Sequence, residues 1–375
     1  MKCLGICPEG FEEAAKLEVN EITGKPVEGH KACVSFETES YEEIARVCYS
    51  TQSLYKVLLM FNEFEYQDLE KELKEHIDKT EFGSWFDNRK FRANVFHFED
   101  LDIGGMELAA LAGEYVIDKT GAKADMENWD VIFLVFVHKG KCYFGIDFAG
   151  LNLSKRDYKI YNNPSSLNAV TAISLLKMAG WTPGKILLDP MCGSGVIPIE
   201  AALAYLKKPP HFHLKDKLAF TRFMDFDFSV VDETQAENTK TGGKEANIYC
   251  SDHVLAALRA TKNNAKIADV DKVISATKCD LEWLETKFDE RSIDFIITHP
   301  PAVSKHSNLK QLKKVYNELF YQAEYVLKDT GVVGILAESM EELQEAAEKN
   351  NFAMESSKNV WQGKHKFYLM LFKKA

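Results

Sequence analysis

The 375-residue sequence lacks any long hydrophobic run, since its longest uninterrupted apolar stretch, Val131–Val137, is too short to span a bilayer. It also lacks the apolar core of a secretory signal, because Glu9, Glu12 and Glu13 follow closely on the amino terminus. Its eight cysteines are scattered without paired spacing, which is typical of a reducing compartment. We therefore expect a cytoplasmic protein with no membrane partner.

Basic charge is also scarce, with 46 Lys and Arg against 57 Asp and Glu and a net charge of −11. Residues 1–163 hold 19 basic and 30 acidic residues, so they carry the whole surplus, while the remainder is neutral. This balance argues against nucleic acid as a partner, although a net charge does not forbid a local basic face. Candidates for such a face are Arg89, Lys90, Arg92, Lys119, Lys123, Lys155, Arg156 and Lys159.

Hydrophobic periodicity predicts two regions of different architecture. The first 150 residues mix short strands with helices without regular alternation, which indicates an α+β arrangement. After residue 165, helices alternate with buried apolar strands, as in a mostly parallel sheet covered on both faces. The last two predicted strands, 353–357 and 366–372, are joined by a short turn and should pair antiparallel. We therefore predict a doubly wound, Rossmann-like α/β domain at the C-terminus, with a boundary in the polar stretch 152–164.

The sharpest local signal is the glycine-rich turn Leu187–Gly195, where the first strand of the predicted α/β sheet turns into a helix. A dinucleotide fingerprint would need a third glycine where Pro198 stands, and a phosphate loop would need a lysine after Gly195. The carboxylate of Asp189 instead favours a ligand with a positive amine, such as S-adenosylmethionine. The alternative is a structural turn with no ligand.

The stretch Leu187–Leu203 resembles the first motif of S-adenosylmethionine-dependent methyltransferases that modify nucleic-acid bases. Two later acids follow the second and third predicted strands: Asp252 could accept from ribose hydroxyls and Asp280 could meet the adenine amine. Each acid alone is more typical of a solvated loop, but their order after the turn favours cofactor contacts. The predicted cofactor-binding residues are Asp189, Pro190, Met191, Cys192, Gly193, Ser194, Gly195, Asp252, His253, Asp280 and Leu281.

The fourth predicted strand of this sheet ends in His299-Pro300-Pro301-Ala302, where two prolines stiffen a turn. Methyltransferases that act on exocyclic base amines usually carry Asn or Asp here, then Pro-Pro or Leu-Pro, then an aromatic that stacks on the flipped base. A neutral histidine offers one acceptor nitrogen, so we predict that His299, Pro300 and Pro301 are catalytic. The alternative is a degenerate site that only binds RNA. Trp361, Phe367 and Tyr368 are candidates to replace the ring missing at Ala302.

The order of segments resembles the THUMP-domain RNA methyltransferases over nearly the whole chain. Tyr143–Asp147 and Leu151–Tyr158 look like the end of a THUMP module, and Pro164–Ala169 resembles the helix that leads into the methyltransferase domain. Lys217–Phe223 is similar to an insertion of guanine-N2 methyltransferases, and Cys7–Glu12 to the ferredoxin-like segment before THUMP. Within this group the chain looks most like the archaeal enzymes that methylate guanosine 6 of the tRNA acceptor stem.

This resemblance implies a ferredoxin-like segment at 1–62, a THUMP RNA-binding domain at 63–150, a linker at 151–164 and a methyltransferase domain at 165–375. It implies methyl transfer to the N2 amine of a tRNA guanosine, with ribosomal RNA, adenine N6 and an impaired RNA-binding protein as alternatives. We predict that Arg92, Lys155 and Arg156 bind the RNA. We expect a monomer. We also expect no metal, because no Cys or carboxylate cluster completes the pair His211 and His213; such a pair is typical of an ordinary surface loop.

Overall fold

The computed structural model of the protein describes residues 1–161, 167–232, 247–302 and 308–375, and these form two compact units. The N-terminal unit contains Met1–Cys7, Ala15–Leu153 and His211–Phe228. The C-terminal unit contains Pro8–Ala14 and the described parts of Ser154–Pro210 and Ser229–Ala375. The units are therefore not two consecutive stretches of the chain. Residues 8–14 belong to the C-terminal unit, and residues 211–228 belong to the N-terminal unit. The predicted boundary at residues 164 and 165 lies outside the described residues.

One continuous sheet runs through the N-terminal unit, in the order β2-β3-β1-β4-β8-β7-β5-β6. Strand β5 pairs parallel with β6 and β7, and the other neighbours pair antiparallel. The α+β expectation is thus confirmed. The elements are β1 Lys2–Ile6, α1 Glu12–Thr23, β2 Val27–His30, β3 Cys33–Glu37, α2 Tyr41–Ser50, β4 Lys56–Glu65, α3 Leu69–Lys79, β5 Lys90–His97, α4 Gly105–Thr120, β6 Lys123–Ala124, β7 Val131–His138 and β8 Lys141–Asp147, with 3-10 helices at Phe212–Lys217 and Ala219–Arg222.

The C-terminal unit is built on a second sheet, in the order β11-β10-β9-β12-β13-β15-β14. Strands β9 to β13 are parallel, and β15 runs antiparallel between β13 and β14. The doubly wound fold with an antiparallel last strand is confirmed. The elements are α5 Ala169–Met178, β9 Leu187–Asp189, α6 Val196–Leu206, β10 Ile248–Asp252, α7 Leu255–Ile267, β11 Ile274–Lys278, β12 Ile293–Thr298, α8 Leu309–Val326, β13 Leu327–Ala337, α9 Glu341–Lys349, β14 Phe352–Gln362 and β15 His365–Lys374, with 3-10 helices at Asp271–Val273 and Leu281–Thr286.

Local sequence explains where the helices of the C-terminal unit begin. Helix α5 is capped by Asn168, whose side chain accepts from the backbone N–H of Val170, and α8 begins with a capping box of Asn308 and Gln311. Helix α6 tolerates Pro198 because this residue lies in the first turn, where a backbone N–H has no partner inside the helix.

The described residues bear on membrane spans, metal ligands and the exposure of His211. No helix among them is long and apolar enough to cross a bilayer. Within the same residues, no group of three or more His, Cys, Asp or Glu side chains could hold a metal ion. The expectation of an ordinary surface loop at His211–His213 is wrong for His211, which is 0% exposed, whereas His213 is exposed as expected.

Candidate functional site

The candidate site lies at the carboxyl edge of the parallel strands in the C-terminal unit. Asp189 ends β9, Asp252 ends β10, Asp280 follows β11 and His299 follows β12. Because these four strands are parallel neighbours, their ends meet at one edge, which is where open α/β sheets bind ligands. The structure therefore brings the predicted acids and the predicted histidine to the same edge of the sheet, where the parallel strands end.

Asp189 is buried, with 1% of its surface exposed, and it ties the glycine-rich turn to the end of β12. Its Oδ1 accepts from the hydroxyl of Thr298 at 2.7 Å and from the backbone N–H of Met191 at 3.3 Å. Burial raises the pKa of Asp189 to about 7. A positive group placed beside this carboxyl would favour its ionised form, so the site is responsive to a cationic ligand.

Asp252 holds the backbone of the same turn. Its Oδ2 accepts from the N–H of Gly193 at 3.0 Å, and its Oδ1 accepts from the N–H of Val254 at 2.8 Å. Gly193 and Gly195 both have positive φ angles, +55° and +83°, which residues other than glycine rarely adopt. Asp252 therefore shapes the turn, and the remaining lone pairs of its oxygens are what a ligand hydroxyl could reach.

Helix α7 supports the turn from the other side, which the sequence did not reveal. Thr261 donates to the carbonyl of Gly193 at 2.9 Å, and Asn264 donates to the carbonyl of Ser194 at 3.0 Å. A Cβ at Gly195 would lie 2.6 Å from Cγ2 of Thr261. The need for glycine at 195 thus comes from packing against α7 as well as from backbone conformation. No local motif marks Thr261 or Asn264 as partners of a turn nearly 70 residues away.

Asp280 offers an exposed acceptor at this edge. Its carboxylate forms no hydrogen bond or ion pair with another residue in the described parts of the chain. His253 is also largely exposed, with Nδ1 3.6 Å from Oδ1 of Asp252. The exposed carboxylate of Asp280, with the buried carboxyls of Asp189 and Asp252 that bond to the glycine-rich turn, suits a ligand rich in donors, such as ribose hydroxyls, an adenine amine and an ammonium group. The residues present therefore fit S-adenosylmethionine.

His299 is fixed by a hydrogen bond to the neighbouring strand. Its Nδ1 lies 2.7 Å from the carbonyl oxygen of Leu336 in β13, and its ring meets Phe367 of β15 edge-on at 5.7 Å. Because a carbonyl can only accept, Nδ1 carries the proton and Nε2 is the acceptor in the neutral ring. Burial lowers the pKa of His299 below its ordinary value of 6.5, which keeps the ring neutral at physiological pH.

The proline turn after His299 is anchored by a residue that the sequence analysis missed. Pro300 is buried and Pro301 is exposed, and the hydroxyl of Tyr316 in α8 donates to the carbonyl of Pro301 at 2.8 Å. Phe367, one candidate for the missing base-stacking ring, is 6% exposed and packs on His299. It therefore supports the histidine, whereas Trp361 and Tyr368 are only partly buried.

The residues predicted to bind RNA occupy three different environments. Lys155 is exposed, and Arg92 is partly buried against the ring of Trp129. Arg156 is 6% exposed and forms two hydrogen bonds with the buried carboxylate of Glu200, at 3.0 and 3.1 Å. This placement argues against a direct RNA contact from Arg156, because its guanidinium is already committed to an ion pair inside the C-terminal unit.

Comparison with known proteins identifies the family. Residues 156–367, more than half of the chain, match the model of the RMKL-like methyltransferase domain, and residues 64–147 match the THUMP domain. The chain is 29% identical to a tRNA (guanine(6)-N2)-methyltransferase of Methanocaldococcus jannaschii, over 96% of this chain and 98% of that protein. It is 24% identical to the ribosomal RNA large subunit methyltransferase K/L of Shewanella pealeana, over 94% of this chain and 52% of that protein.

A solved structure shares the fold over the full chain. It is described as a possible methylase from Clostridium difficile 630, with a TM-score of 0.79 and 20% identity, and the match covers 100% of this chain and 98% of the other. The two domain matches and the similarity to the archaeal enzyme confirm the resemblance to THUMP-domain methyltransferases. The protein belongs to the RMKL-like methyltransferase-domain family, and it is an enzyme that takes its methyl group from S-adenosylmethionine.

Proposed function

We propose that the enzyme methylates the exocyclic N2 amine of a guanosine in tRNA, at position 6 of the acceptor stem. The observation that carries this proposal is the His299-Pro300-Pro301 turn at the end of β12, coupled to the glycine-rich turn through the hydrogen bond between Thr298 and Asp189. The archaeal relative that matches end to end bears this activity in its name, which supports the choice of tRNA.

The cofactor would be held by the acids and amides at the edge of the sheet. Asp189 would face the positively charged part, Asp252 with His253 the ribose, and Asp280 with Leu281 the adenine. Met191, Cys192 and Ser194 would line the turn between them. When bound, S-adenosylmethionine supplies an electrophilic methyl group.

His299 would orient and deprotonate the substrate amine. Its Nδ1–H is committed to the carbonyl of Leu336, so the neutral ring can accept an amine N–H only at Nε2. This contact directs the nitrogen lone pair away from the histidine, and Nε2 can take up the proton that the amine loses as its new N–C bond forms. The pKa of His299 lies below 6.5, so the acceptor form predominates at neutral pH. Pro300 and Pro301, fixed by Tyr316, limit the freedom of the turn.

Incubation with labelled S-adenosylmethionine and unmodified tRNA, followed by nucleoside mass spectrometry and mapping of the modified position, tests this proposal. We expect N2-methylguanosine at position 6. His299→Ala should lower turnover by about 10²–10⁴-fold while S-adenosylmethionine affinity is retained, because the histidine acts on the amine. A product on adenine, or no product with either tRNA or ribosomal RNA, would overturn the proposal.

The second candidate is methylation of guanine N2 in ribosomal RNA, which the similarity to the K/L methyltransferase favours. Large-subunit ribosomal RNA in the same assay distinguishes this candidate.

We further propose that the enzyme acts in the cytoplasm as a monomer. All eight cysteines are free and buried, which suits a reducing compartment. The domain limits predicted at 1–62, 63–150, 151–164 and 165–375 stay predictions. Limited proteolysis with mass spectrometry of the fragments, and light scattering of the intact protein, test these points.

A further inference from the structure

Three arginines of the N-terminal unit lie against tryptophan rings instead of carboxylates. The guanidinium carbon of Arg222 is 3.8 Å from the ring centroid of Trp129, and that of Arg92 is 5.0 Å from the same centroid. Arg89 lies 5.5 Å from the ring centroid of Trp85. We call these five residues the arginine–tryptophan cluster.

The loop that carries Trp129 is held in place by carboxylates. Asp125 accepts from the backbone N–H groups of Glu127 and Asn128, and Asp130 accepts from the N–H of Lys90 at 2.7 Å. The position of Trp129 at the entrance to β7 is therefore built into the fold and does not depend on the arginines alone.

The segment that carries Arg222 is equally well fixed. The backbone N–H groups of Ala219 and Phe220 donate to the carbonyls of Ala149 and Phe148. The ring of Phe223 packs edge-on against Trp85 at 5.2 Å and against Phe148 at 5.1 Å. Arg222 also donates to the carbonyl of Trp129 at 2.7 Å. The insertion thus completes a surface of the N-terminal unit.

No carboxylate of the described residues is in ion-pair contact with the arginines of the cluster, and the Nε of Arg92 is buried without a hydrogen-bond partner among these residues. The charged groups that act on Arg92 are Asp147 and Arg222, and Asp147 is already paired with Lys56 at 2.6 Å. In a unit with a large acidic surplus, other cations do find carboxylates, for example Lys90 with Asp125 and Lys119 with Glu81.

We propose that the arginine–tryptophan cluster binds the phosphate backbone of the RNA substrate, with Arg92 and Arg222 as the main contacts. Guanidinium groups match phosphate oxygens in a bidentate geometry, and an aromatic ring holds each guanidinium plane while its edge stays available. Three such contacts at two tryptophan rings suit a chain of phosphates better than a single anion. The proposal rests on the proposed function only in taking RNA as the substrate.

The salt dependence of RNA binding tests this site. Dissociation constants of the full-length protein for an unmodified tRNA transcript and for a mixed-sequence 12-nucleotide RNA are measured from 50 to 300 mM KCl. Each lost phosphate contact should lower the slope of log Kd against log salt by about 0.7–0.9. We therefore expect Arg92→Gln/Arg222→Gln to lower the slope by about 1.5 and to weaken binding at 50 mM KCl by roughly tenfold or more.

The matched control is Lys74→Gln/Lys79→Gln, which removes the same charge from the same unit at two lysines outside the candidate basic face. Lys79 lies 3.8 Å from Glu75. Lys74 also lies over an aromatic ring, that of Tyr115, but it has Asp118 as a carboxylate partner at 3.9 Å. This control should leave the slope unchanged. If the glutamine variant of the arginines melts early, Arg92→Lys/Arg222→Lys replaces it, with weaker binding expected at an unchanged slope.

Three outcomes overturn the inference: equal slopes for the arginine variant and the control, no RNA binding by the wild type, or full displacement of RNA by millimolar AMP or inorganic phosphate. Methyl transfer to saturating RNA is measured in parallel. Methylated product with an unchanged slope refutes the cluster and leaves the proposed function standing. An arginine-dependent slope without product refutes the proposed function and leaves the cluster standing.

Discussion

Replacing Arg156 by methionine should destabilise the C-terminal unit without a direct effect on RNA binding. The side chains of Arg156 and Glu200 are both 0% exposed, and Nε and Nη2 donate to the two carboxylate oxygens at 3.0 and 3.1 Å. Tyr158 donates to the same carboxylate at 2.8 Å. Methionine fills the volume of the arginine stem but leaves the Glu200 charge buried without its cationic partner.

The expected loss is about 3–5 kcal/mol, the usual cost of removing one partner from a buried ion pair. This is a large part of a typical unfolding free energy of roughly 5–15 kcal/mol. Arg156→Met/Glu200→Met should recover part of the loss, because no uncompensated charge remains, although the Tyr158 hydroxyl then lacks its acceptor. The exposed neighbour gives the control: Lys155→Met should change stability by less than about 0.5 kcal/mol.

Urea unfolding followed by tryptophan fluorescence measures these differences, and RNA binding is compared at a temperature where every variant is folded. The reasoning is refuted if Arg156→Met retains stability to within about 1 kcal/mol while RNA binding weakens more than in Lys155→Met. That result would mean that the guanidinium leaves its buried pair to contact the substrate.

The remaining predictions concern the candidate site. The pKa of Asp189 is raised from 3.8 to about 7. Between these two pH values the folded protein therefore binds more protons than the unfolded chain. Its free energy of unfolding should fall as the pH rises from 4 to 7. Asp189→Asn should flatten this fall in urea titrations, and an unchanged profile would contradict the assignment. His299→Asn should keep more turnover than His299→Ala, because the amide supplies an acceptor, and should lose the acid limb below pH 6.5 in a pH–rate profile. Gly195→Ala should lower the free energy of unfolding by about 1–3 kcal/mol more than Gly184→Ala does. Both glycines have a positive φ, but only a Cβ at position 195 would clash with Thr261. Equal melting temperatures of the two variants would show that this clash does not matter.

Sequence patterns predicted the elements whose signals are local. Hydrophobic periodicity predicts a strand at 293–298 and a helix at 341–349, and β12 and α9 occupy these residues. Both were predictable because an apolar run or an amphipathic repeat is visible within one element. Strand β2 was missed because its four residues include Gly29 and pair only with β3 at the edge of the sheet. A strand of this kind is specified by tertiary partners more than by its own composition.

The contacts that organise the site could not be predicted from spacing. Thr298 and Asp189 are 109 residues apart, and His299 and Leu336 are 37 apart, yet both pairs meet because β9, β12 and β13 are neighbours in the sheet. Strand order is a property of the whole fold, so the sequence located the acids and the histidine but not the groups that set their protonation. The role of Arg156 was missed for the same reason, since Glu200 is 44 residues away.

The acidic surplus of the N-terminal region gives little guidance on whether it binds RNA. What matters locally is which cations already have carboxylate partners, because a paired lysine such as Lys56 contributes little field outside its own ion pair. Arg92 and Arg222 differ from it because tryptophan, rather than a carboxylate, supplies their contact. The acidic residues around the cluster would then contribute to specificity, because they repel RNA from the rest of the surface. Only an RNA whose phosphates reach the arginine–tryptophan cluster would bind with a net gain in free energy. Raising the salt should therefore weaken binding at the cluster while also weakening this repulsion elsewhere.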